Sequence, residues 1–177
     1  GVFVFSDPSE TNRNLSDAPF DASFTDGVLT FSNSYGSCSV IPMPYVSESR
    51  LKTALPSRDT EAEESEDFSK LFSELVRSRV ESAPEDIPII LVTHQYFRGT
   101  RVDNTERDIS IGGTYAVDTS HLPSELTYVA AGHLHRRQRL ANMQNAFYAG
   151  SPVAMDFSRR DPDTDRHGFI VFDTEAT

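Results

Sequence analysis

Three of the five histidines in this chain end apolar runs, where imidazole nitrogens are well placed to hold a metal ion. Ile-Pro-Ile-Ile-Leu-Val-Thr-His finishes at His94, and Leu-Thr-Tyr-Val-Ala-Ala-Gly-His-Leu-His finishes at His133 and His135. A neutral imidazole at the mouth of a buried strand offers a lone pair to zinc, manganese, iron and similar ions without choosing among them. Residues two apart in an extended segment point the same way, so the rings of His133 and His135 can face one pocket and each serve a different ion. Gly132 just before them permits a sharp turn and a close backbone approach. One strand-terminal histidine is ordinarily structural. A His-x-His after a glycine at the end of a buried strand points instead to a metal, and His94 joins the same pocket if the two strands are neighbours.

Basic residues surround these positions. Arg98, Arg101 and Arg107 follow His94, while Arg136, Arg137 and Arg139 follow His135. A guanidinium clamps phosphate through paired N–H donors and can position a nucleic-acid backbone. Any one of these arginines reads as solvent-facing charge on an acidic protein. As a group beside the histidines they favour a phosphate-bearing substrate. The net charge of -11 argues against nonspecific attraction to nucleic acid. A local basic patch remains compatible with that total.

The elements that must position these residues are those of a mixed α/β layered domain. At 177 residues the chain is long enough for one domain with a core of its own. Short strands are expected at Val2 to Phe5, Gly27 to Ser32 and Ser37 to Met43, with Asp26-Gly27 as a turn. An acidic segment, 56–67, leads into the clearest helix. Phe68, Leu71, Phe72, Leu75, Val76 and Val80 fall on one face of it. Thr60 with Glu63 suits a capping box, Arg77 and Arg79 suit the C-terminal end, and Pro84 stops the helix. The continuous apolar run Ile87 to Thr93 predicts a strand buried on both faces. From Gln95 to Ser124 the chain reads as a long polar loop with a short strand near Ile109 to Ile111. Further strands are expected at Leu126 to Ala131, Ala146 to Ala149 and Phe169 to Phe172. No run approaches the ~20 apolar residues of a membrane span, so no membrane partner is expected. A single cysteine, Cys38, excludes an internal disulfide, suits a reducing cytoplasm and reads as a small buried side chain.

Beyond these local readings, longer blocks of sequence carry a resemblance. Leu-Val-Thr-His at 91–94, Gly-His-Leu-His at 132–135 and Gly-Ser-Pro at 150–152 resemble the last blocks of calcineurin-like metallophosphoesterases. Their context is similar to SbcD-type DNA repair exonucleases. It comprises Thr-Glu-Arg at 105–107 before Gly112-Gly113, Tyr-Val-Ala-Ala-Gly-His-Leu-His-Arg-Arg-Gln at 128–138, Phe-Tyr-Ala-Gly-Ser-Pro at 147–152, and Pro44-Tyr45 near an early strand end. Arg159-Arg160 departs from the subfamily, which tends to carry an acidic residue there.

The resemblance implies a metallophosphoesterase-type α/β sandwich with flanking helices, of which 1–177 is the C-terminal portion and the N-terminal portion is missing. It implies two divalent ions, manganese foremost with zinc, iron or magnesium as alternatives. His94 and His133 would hold one ion and His135 the other. The family's earlier ligand blocks, Asp-x-His, Gly-Asp and Gly-Asn-His-Asp, do not occur before His94. The chain also opens on Gly-Val-Phe-Val-Phe, so a fragment or processed product is expected, inactive alone and prone to self-association through an exposed sheet. Asp165-Arg166-His167 matches Asp-x-His formally, but it precedes a C-terminal strand and reads as a polar surface turn, as His121 reads as a loop residue. The activity implied is hydrolysis of DNA phosphodiesters, with DNA and an SbcC-type ATPase as partners and a homodimer also open. Phosphate contacts are expected from Arg98, Arg101, Arg136 and Arg137. The alternatives are a phosphoesterase acting on nucleotides, small phosphodiesters or phosphoproteins, and a noncatalytic interaction domain lacking the early ligands.

Overall fold

A computed structural model describes residues 4–16, 18, 21–46, 61–101, 116–154 and 167–174, with side chains omitted for 61–67. Among these residues seven strands form one mixed sheet in the order β1-β2-β3-β4-β5-β7-β6. They are β1 (Asp21–Thr25), β2 (Val28–Asn33), β3 (Gly36–Met43), β4 (Ile89–Thr93), β5 (Tyr128–Ala131), β6 (Gln138–Arg139) and β7 (Ala146–Tyr148). The long helix α1 (Glu61–Ser82) lies between β3 and β4 in sequence. The arrangement is the expected mixed α/β sheet with helical cover.

Hairpin signals build one flank of the sheet. Asp26 and Gly27 take φ of 51° and 76°, the two left-handed residues of a tight turn, and Thr25 pairs with Val28 across it. β1 itself is polar, with Phe24 as its one buried side chain, and so carries little apolar signal in sequence. From β3 onward the pairing turns parallel through β4, β5 and β7. Parallel pairing requires long crossover connections, which α1 and the 94–127 segment supply.

The helix buries the face its periodicity predicts: Phe68, Phe72, Val76 and Val80 share one buried cluster with Ile41, Met43, Leu91, Val129 and Tyr148. Arg79 lies in the last turn of α1, as expected, but is buried there. It is 3% exposed, and its guanidinium donates from Nη1 to the Pro42 carbonyl at 3.2 Å and from Nη2 to the Pro8 carbonyl. It also fills the space beneath Gly27, where an added Cβ would stand 2.6 Å from its Nε. The helix therefore fastens the N-terminal segment and the first hairpin as well as the central strands. Thr60 of the expected capping box lies outside the described residues.

Three strand expectations change. β4 is buried on one face only: Leu91 and Thr93 are buried, whereas Val92 is 44% exposed. No strand forms at 169–172. That segment alternates in exposure, with Phe169 and Val171 outward and Phe172 stacked on Tyr128 at 4.4 Å between ring centroids, but it pairs with no described strand. Val4 and Phe5 also form no strand. Phe5 instead joins a small second cluster with Phe24, Leu15 and Leu29. Residues 109–111 lie outside the described set. Cys38 is half-buried, and burial pushes its thiol pKa up.

Candidate metal centre at the ends of three parallel strands

β3, β4 and β5 end level with one another. Met43 is in register with Thr93, and Thr93 with Ala131. The residues that follow therefore emerge side by side at the carboxyl edge of the sheet, the place where open α/β sheets bind ligands. β3 delivers Tyr45, β4 delivers His94, and β5 delivers Gly132 and His133. The rings of His94 and His133 lie 5.2 Å apart between centroids with perpendicular planes. Tyr45 stacks on His133 with planes 10° apart at 6.3 Å, and meets His94 edge-on at 6.5 Å.

The backbone is shaped to allow this. The Gly132 amide donates to the Thr93 carbonyl at 2.7 Å, and a Cβ on Gly132 would stand 3.0 Å from Nδ1 of His94. The close approach expected of the glycine is thus real. The left-handed turn falls one residue later, on His133 itself, whose φ is 107°. That conformation is costly for a side chain bearing a Cβ and persists only where its surroundings hold it, often at functional sites.

A buried polar network fixes the strand that carries His94. The Gln95 side chain donates to the Val46 carbonyl at 3.1 Å and accepts from the Val46 amide at 3.3 Å. Tyr148, fully buried on β7, donates its hydroxyl to the Gln95 carbonyl at 2.6 Å and accepts from the Phe97 amide at 3.0 Å. Gln95 and Tyr148 carry no charge and no ligand pattern, so sequence reading passed over their roles. The only hint was a glutamine immediately after a strand-terminal histidine.

His135 is held by a separate device. Its carbonyl accepts from the Ser151 amide at 2.8 Å. Gly150, with φ of 79°, leaves no room for a side chain: a Cβ there would lie 2.7 Å from the Arg137 nitrogen and 2.8 Å from the His135 oxygen. The Gly-Ser-Pro block thus braces the backbone that bears the His-x-His pair. Burial lowers the pKa of His94, and the neighbouring charge of His135 lowers it further, which favours the neutral, lone-pair-bearing ring.

These donors suit a divalent cation. His133 makes several contacts, yet its buried Nε2 forms no hydrogen bond among the described residues. No group of three potential ligands assembles among the described residues.

The arginines meet different partners. Arg98 lies 3.7 Å from the Asp118 carboxylate, and Arg101 is tied through its backbone to the Gln138 side chain at 2.8 and 2.9 Å. Arg136 is half-buried, while Arg137 and Arg139 are exposed. Arg107 and Asp165 lie outside the described residues. His121 belongs to a 3-10 turn, Thr119–His121, and its Nδ1 lies 3.0 Å from the Ser69 hydroxyl of α1. His167 is exposed, with Nδ1 3.1 Å from the carbonyl oxygen of Ser151, the residue whose amide bonds the His135 carbonyl.

No family model matches the chain. Among curated proteins it is similar to the SbcD component of the SbcCD nuclease of Bacillus subtilis, at 32% identity over 117 residues, which is 66% of this chain and 30% of that protein. The corresponding protein of Rhodobacter capsulatus is 34% identical over 104 residues, 58% of this chain and 24% of that protein. That of Escherichia coli K12 is 34% identical over 73 residues, 41% and 18% respectively. The chain spans less than a third of the length of the curated relatives it matches. Among the described residues no helix is long and apolar enough to cross a membrane.

Proposed function

We propose that this chain contributes one side of a dinuclear metal centre to a DNA nuclease of the SbcD type. The observation that carries the reading is the convergence of His94 and His133 at adjacent parallel strand ends, with His135 braced two residues on. Similarity to the SbcD components of SbcCD nucleases supports the same conclusion. His94 and His133 would hold one ion and His135 the second, with manganese the expected metal. When bound, such a pair supplies an activated water and neutralises charge on the phosphate.

The chain's own residues supply the frame. Gly132 lets the His94 ring close on the β5 end, and the Gln95–Tyr148 network keeps that strand end from shifting. Arg136 and Arg137, which follow His135 in sequence, would meet a DNA phosphate. Arg98, beside Asp118, and Arg101, beyond it, would guide the strand at the periphery. Duplex DNA as substrate, an SbcC-type ATPase as partner, a homodimer and a cytoplasmic location belong to the same proposal.

The test uses the full gene product. His133→Ala should abolish manganese-dependent digestion of linear duplex DNA, while His167→Ala should leave it within about twofold of wild type, since His167 is exposed and substitutions of exposed residues have small effects. Equal losses in the two variants, or full activity in His133→Ala, would overturn the reading.

A further inference from the structure

We propose that Tyr45 is a positioning residue of this centre, acting as an aromatic wall that fixes the imidazole of His133; the inference rests on the metal-centre reading above. In sequence, Pro44-Tyr45 near a strand end enters only as part of the family resemblance, with no role of its own for the ring. Its geometry is more specific. The ring lies nearly parallel to His133, at 10° and 6.3 Å, and edge-on to His94, at 82° and 6.5 Å. Both arrangements are favoured by aromatic quadrupoles within ~4.5–7 Å.

Two further observations explain why such a wall is useful. First, His133 holds a φ of 107°, a conformation L side chains rarely adopt, so its ring direction needs support from outside its own backbone. Second, Tyr45 is itself anchored. The next residue, Val46, exchanges two hydrogen bonds with the side chain of Gln95, which follows His94. A shift of Tyr45 would therefore be felt by both histidine-bearing strands. Groups that orient metal ligands without touching the metal typically contribute ~10–100-fold in affinity. The flat face of Tyr45 does the positioning, and its hydroxyl does not.

The experiment measures Mn2+ affinity of the full gene product by electron paramagnetic resonance titration, alongside thermal melting of the metal-free protein. Tyr45→Phe, which keeps the ring, should bind within about twofold of wild type. Tyr45→Leu, which keeps apolar bulk but loses the flat face, should bind about tenfold more weakly or worse. Tyr45 is 38% exposed, so both variants should melt close to wild type. His133→Ala serves as the control. If it loses affinity and Tyr45→Leu does not, the role of Tyr45 is overturned and the centre stands. If His133→Ala binds as wild type does, or wild type binds no Mn2+, the centre itself is overturned and Tyr45 with it. Equal weakening in Tyr45→Phe and Tyr45→Leu would assign the effect to the hydroxyl and overturn the stacking role. A lowered melting point in Tyr45→Leu matched by wild-type affinity would also overturn it.

Discussion

At the residue scale, the candidate centre depends on positions where a side chain is excluded as much as on those that bear one. Gly150 is the clearest case. A methyl group there would strike backbone atoms of His135 and Arg137 at 2.7–2.8 Å, and those atoms have no rotamer by which to move aside. The left-handed φ of 79° adds strain of ~1–3 kcal/mol for any L side chain. Gly150→Ala should therefore lower the urea midpoint measurably and weaken metal binding through His135. An unchanged midpoint would show that the His135–Arg137 backbone is not braced by this glycine. Gly132 is subtler, because its forbidden neighbour is a ring nitrogen of His94 at 3.0 Å.

At the scale of elements, α1 carries more than an apolar stripe. Its period-3.6 face could be read directly, but the burial of Arg79 could not, because a basic residue near a helix C-terminus ordinarily serves the dipole in solvent. Here burial lowers its pKa while carbonyls of Pro42 and Pro8 accept its hydrogen bonds, so the helix end is bonded to two other parts of the chain. Arg79→Met should cost about 1–3 kcal/mol by leaving those carbonyls short of a donor. Arg77→Met, on the exposed side of the same helix, should stay within about 0.5 kcal/mol. Equal effects in chemical denaturation would refute the clamp. The strands show the opposite asymmetry. Apolar runs at 89–93 and 128–131 announced themselves, whereas β1 and the two-residue β6 have too few buried side chains to leave a pattern.

At the scale of the whole molecule, the described residues cover the sheet unevenly. One face packs on α1, while the other holds an open groove of about 560 Å³ floored by Pro42, Val92, Ala130 and Phe147, with Phe169 and Ile170 beside it. Exposed apolar surface of this kind favours association. The polypeptide 1–177 should self-associate in light scattering as its concentration rises, and Val92→Lys should reduce that tendency. A monodisperse monomer at high concentration would count against it. The same groove leaves one face of β4 open: a continuous apolar run says that a strand is central but not that each face is occupied.

What the sequence determined by itself is local. Strand-terminal histidines, the Asp26-Gly27 turn, the apolar face of α1 and the mixed α/β class follow from side-chain chemistry and period, which act over a few residues. The tertiary structure decided which strand ends are level. Parallel register alone sets Met43, Thr93 and Ala131 abreast and so brings Tyr45 into the company of His94 and His133. It also placed Gln95 and Tyr148 in a network spanning residues 46–148 and gave the unusual φ to His133 rather than to the glycine before it. Such features arise from pairing between distant segments, whose hydrogen bonds and close approaches leave no periodic trace along the chain.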